Sequence, residues 1–72
     1  PILVLHGLND GWISPVEAVK IAKTARNYAD IVLFKGLGHS LSKVESPLKD
    51  EGGTIEDEVI VSIVKWLRKN VE

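Results

Sequence analysis

The sequence predicts an α/β fold with the element order strand, helix, strand, loop, helix and with its two strands parallel. Three observations carry the prediction. The aliphatic runs Ile2–Leu5 and Ile31–Phe34 are uninterrupted by polar residues, the pattern of strands covered on both faces and hence of a parallel sheet. Between them lies a segment with apolar residues at helical spacing, long enough for the crossover that a parallel pair requires. A second amphipathic segment closes the chain.

The first strand ends at His6-Gly7, and Asn9-Asp10-Gly11 marks a turn. Helix signals then agree. Ser14 is an N-cap, Pro15 takes the first helical position and Glu17 completes a capping box. Ala18, Ile21, Ala22, Ala25 and Tyr28 form the inward face, leaving Lys20, Lys23, Arg26 and Asn27 for water. The second strand follows Ala29-Asp30 and precedes Gly36 and Gly38. Residues 40–53 have no period, contain Pro47 and Gly52-Gly53, and read as a long surface loop whose charges from Glu45 to Glu51 are solvated. Thr54 is expected to cap the last helix. Glu56, Asp57 and Glu58 at its start and Lys65, Arg68 and Lys69 at its end complement the helix dipole. Ile60, Ile63, Val64, Leu67 and Val71 give it an apolar stripe, widened by Val59 and by Trp66, which is assigned to the core.

Composition narrows the function classes. Seventy-two residues make at most one domain, and a chain of this size buries only about 60% of its unfolded surface. Nine basic against ten acidic residues leave a net charge of -1, without the electrostatic footprint of a nucleic-acid or anionic-membrane partner. There is no cysteine, hence no disulfide framework and no thiolate metal site, and no carboxylate–histidine cluster has metal spacing. No cofactor is expected. The apolar runs fall far short of the roughly 20 residues that cross a bilayer, and no basic-then-apolar leader is read, so a cytoplasmic location is expected. Two parallel strands cannot cover themselves. Residues 1–72 are therefore expected to be one segment of an incomplete domain, completed by a second copy in a homo-oligomer or by an upstream portion.

Reactive groups in open parallel sheets collect on the loops after the carboxyl ends of the strands. Asp10 lies four residues beyond His6 and His39 four beyond Lys35, so neighbouring strands bring both to one rim. A carboxylate beside an imidazole fixes its tautomer and stabilises the imidazolium that forms when it accepts a proton. Taken singly, Asp10 reads as a turn former and His39 as a surface histidine. Their common offset favours a catalytic pair. Trp12 packs beside the turn or contacts substrate, Leu41 lines an acyl pocket, and His6 is structural, filling space or bonding loop backbone. Gly36-Leu37-Gly38 begins like a dinucleotide loop, but Leu41 stands at the third glycine position and no Gly-Lys-Ser/Thr follows, which sets a nucleotide module aside.

The stretch PILVLHGLND, the Ser-Pro-capped helix after it and IVLFKGLGHS together resemble the C-terminal part of the α/β-hydrolase family, across nearly the whole chain. In that family the triad runs in the order nucleophile, acid, histidine. The resemblance implies that Asp10 is the acid and His39 the general base of a serine esterase or related acyl hydrolase. It also implies a doubly wound sheet, of which this chain is the C-terminal portion, and a small-molecule ester or acyl substrate. No Gly-x-Ser-x-Gly elbow occurs, since Ser14, Ser40, Ser42, Ser46 and Ser62 all lack the flanking glycines. The nucleophile and oxyanion loop are thus expected upstream, and the chain alone is expected to be inactive. The competing expectation is a non-catalytic interaction module that self-associates through the open sheet and the helix stripes.

Overall fold

The computed structural model describes residues 1–71. It contains β1 (Ile2–Gly7), α1 (Pro15–Ala25), β2 (Ala29–Phe34) and α2 (Asp57–Val71), with short 3-10 turns at Arg26–Tyr28 and Pro47–Lys49. The strands pair in parallel, from Ile2 opposite Ala29 to Gly7 opposite Phe34, in an open two-stranded sheet. The α/β class and the parallel order are those the apolar runs predict. β2 begins two residues before its aliphatic run, because Ala29 and Asp30 pair with Ile2 and Leu3 and pairing needs backbone, not apolar side chains.

Ser14 is extended, its hydroxyl accepts from the Val16 amide at 3.3 Å, and Pro15 opens α1. The capping box does not close. The Glu17 carboxylate accepts instead from Lys20 Nζ at 3.4 Å. Ala18 is the buried residue of α1, whereas Ile21 is 55% and Tyr28 74% exposed. The expected inward face is therefore narrower than its periodicity. Two strands about 4.8 Å apart are no wider than one helix of about 10 Å, so they cover its small residues and leave its flank open.

Leu5, Val32 and Phe34 share one face of the sheet, since side chains alternate along a strand and Leu5 pairs with Val32. On that face Phe34, Leu37 and Val59 form the core, with Leu5, Val32, Leu41 and Ile63 packed around it. α2 thus contributes Val59 and Ile63. The rest of its predicted stripe, Ile60, Val64, Leu67 and Val71, is exposed. Trp66 is half-buried rather than core, and its indole N–H donates to Asp30 Oδ2 at 2.7 Å, strapping α2 to the start of β2.

Thr54 does not cap α2, which begins three residues later at Asp57. The Glu56 amide donates to the Leu41 carbonyl at 2.9 Å, so the chain crosses the loop after β2 before it can coil. Nor is the 40–53 stretch wholly a surface loop. Leu37 and Lys43 form an antiparallel bridge, and Ser42 and Val44 are buried. Among the described residues no helix is long and apolar enough to cross a membrane.

Candidate functional site

The parallel register ends both strands at one rim, where Gly7 faces Phe34. The loops that follow are joined at once by backbone. The Leu8 amide donates to the Phe34 carbonyl at 2.9 Å and the Asn9 amide to the Leu37 carbonyl at 2.8 Å. Gly7 permits this approach, because a Cβ at that position would collide with the carbonyl oxygens of Leu37 and Gly38.

The two predicted residues meet there. Asp10 Oδ2 lies 3.0 Å from His39 Nδ1. Its other oxygen, Oδ1, accepts the amides of Trp12 at 2.7 Å and Ile13 at 2.8 Å, the bonding of an Asx turn. The turn-forming and imidazole-holding readings of Asp10 are both fulfilled, one by each oxygen. Its side chain is 3% exposed against 47% for His39. Burial pushes the Asp10 carboxyl upward, but the Ile13 and Trp12 amides and the His39 ring outweigh it and hold the group below its ordinary value.

A carboxylate can only accept, so His39 Nδ1 carries the ring proton and Nε2 keeps its lone pair. Among the described residues Nε2 makes no hydrogen bond, and no serine hydroxyl reaches it. This is the form of a general base.

His6 does more than fill space. Its Nε2 lies 3.0 Å from the Ile13 carbonyl and 3.0 Å from Asp10 Oδ2, so it too carries a proton there. The bond to Ile13 closes the loop after β1, as the reading of His6 as a partner of loop backbone expects, and the contact with Asp10 is additional.

Trp12 stacks on His39 with ring centroids 5.7 Å apart and planes inclined by 30°. It is 70% exposed, so it covers the His39 ring and not a core. Leu41 is half-buried and adopts a left-handed backbone with φ 58°, uncommon for a residue other than glycine. It shares with Leu5, His6, Gly7, Asp10, Ile13 and His39 the lining of a pocket of about 190 Å³.

The charged stretch from Glu45 to Glu51 is corrected by Asp50. Its Oδ2 accepts from the amides of His39 at 2.7 Å and Gly11 at 3.0 Å, and its carbonyl accepts the Trp12 indole N–H at 3.2 Å. The Gly11 and His39 amides hold the Asp50 carboxyl below its ordinary value. No local pattern marks Asp50, since its partners are distant in sequence. The His6 contact had a signal in its four-residue spacing from Asp10 across a turn.

Among the described residues no three His, Cys, Asp or Glu side chains are arranged to hold a metal ion. Comparison of the chain with protein-family models, with curated proteins and with solved structures finds no match.

Proposed function

We propose that Asp10 and His39 are the acid and general base of a serine hydrolase of the α/β-hydrolase kind, acting on a small ester or related acyl substrate. The chain is then the C-terminal portion of a larger doubly wound sheet, and the nucleophilic serine comes from residues outside it. One observation carries the reading: the 3.0 Å contact between a buried carboxylate and the Nδ1 of a half-exposed imidazole, on loops after adjacent parallel strands.

In this reading His39 Nε2 accepts the serine proton as the serine oxygen adds to the substrate carbonyl. The proton passes to the leaving alcohol or amine as the acyl-enzyme forms. Water then attacks with the same base, which returns the proton to the serine as the acid product departs. Asp10 remains ionised throughout and stabilises the imidazolium. The stacked Trp12 limits rotation of the ring.

A second reading, a self-associating interaction module, is favoured by the exposed Ile31 and Leu33 of β2 and the exposed Ile60, Val64 and Leu67 of α2. Hydrolysis of p-nitrophenyl acetate by the product of the complete reading frame separates the two. The hydrolase reading expects Asp10→Asn and His39→Ala to lower kcat by about 10,000-fold with KM little changed. Variants within threefold of the wild type, or a wild type without activity on this and longer acyl esters, favour the module.

A further inference from the structure

We propose that Asp50 is a positioning residue for the Asp10–His39 pair, holding the acid-bearing and base-bearing loops at hydrogen-bonding separation. The inference rests on the reading of that pair as acid and base.

Asp50 terminates the 3-10 turn at Pro47–Lys49, outside the loop of Asp10 and eleven residues beyond His39 in the connection between β2 and α2. Its Oδ2 nevertheless accepts one amide from each: that of His39 itself, at 2.7 Å, and that of Gly11, next to the acid, at 3.0 Å. One oxygen thus sets the distance between the backbones that carry the two groups. Its carbonyl accepts the indole N–H of Trp12, whose ring stacks on His39. The same residue therefore fixes the imidazole through its main chain and through its stacking partner.

Gly38 makes room for this, because a Cβ there would lie 2.6 Å from both oxygens of the Asp50 carboxylate. The remaining amide on Asp50, that of Gly52 at 3.4 Å on Oδ1, steadies the carboxylate from its own loop. An ionised carboxylate suits three amide donors better than a neutral acceptor does, since charge-assisted bonds are shorter and stronger.

The test is nitrogen NMR of the ¹⁵N-histidine-labelled chain above the histidine titration range. The wild type is expected to show His39 with a protonated Nδ1 and an unprotonated Nε2, and slow exchange of the Nδ1 proton. Asp50→Ala should accelerate that exchange at least tenfold and mix the tautomers. Asp50→Asn, whose side-chain oxygen can accept the same amides, should restore the wild-type signature. Ile63→Val, which loosens the core without removing any hydrogen bond of Asp50, should leave it unchanged. A folded Asp50→Ala variant with the wild-type signature overturns the proposal alone, as does an equal change in Ile63→Val. A wild type without the Nδ1 proton overturns the reading of the pair and the proposal with it. If Asp50→Ala does not fold, exchange of the wild-type amides decides. Joint protection of the His39 and Gly11 amides supports the clasp, and unprotected exchange of either one overturns it.

Discussion

Asp10 is saturated with donors, two amides on Oδ1 and two imidazole edges on Oδ2. The consequence is a pH dependence whose sign is fixed. Its folded carboxyl titrates below the ordinary value of 3.8, so its contribution to stability is present above that value and is lost as pH falls through the folded one. The urea midpoint of Asp10→Asn should therefore lie below that of the wild type at pH 6, and the gap should close as pH drops below about 4. A gap that stays constant to pH 2.5 contradicts this. At this scale the pair was legible in the sequence because Asp10 and His39 each follow one of two like strands within a few residues, although the strands end at Gly7 and Phe34, which puts Asp10 three and His39 five residues beyond them rather than at the expected common offset. Asp50 was not legible. It lies 39 residues from Gly11 and 11 from His39, and nothing in its own neighbourhood announces either partner.

Where a signal is carried by immediate neighbours, the helix starts where the sequence predicts, even though the Ser14–Glu17 capping box stays open. Ser14 and Pro15 start α1 because the cap bond runs to Val16, two positions away. Where a distant group competes, it does not. Thr54 loses the start of α2 because Glu56 is already bonded to the Leu41 carbonyl. The apolar stripe of α2 likewise overstates its buried face, since Val59 and Ile63 reach the core while Ile60, Val64, Leu67 and Val71 stay exposed. The junction of β1 with the loop after β2 is a close approach of two backbones. Gly7→Ala introduces a methyl against two carbonyl oxygens and should cost about 1–3 kcal/mol in urea denaturation. It should also weaken the Asp10–His39 contact, read as faster Nδ1 proton exchange. A variant as stable as the wild type contradicts the close approach at this rim.

The described residues form one small core and an open sheet. A chain of this length is stabilised by about 4–11 kcal/mol in total. Val59, 0% exposed at the centre of the core, should take about 2 kcal/mol of that with it when replaced by alanine, as a lowered urea midpoint would register. Both strands have free edges, and Ile2, Ile31, Leu33, Ile60 and Leu67 remain exposed. Sedimentation velocity of the isolated chain should accordingly find dimers or larger species at micromolar concentration. A compact monomer across that range contradicts this. The hydrolytic reading itself is tested most directly by treating the product of the complete reading frame with a fluorophosphonate and locating the label by mass spectrometry. The account predicts one modified serine outside residues 1–72, with labelling abolished by His39→Ala and severely slowed by Asp10→Asn. Labelling that is absent from the folded wild type, or that persists undiminished in both variants, would contradict it.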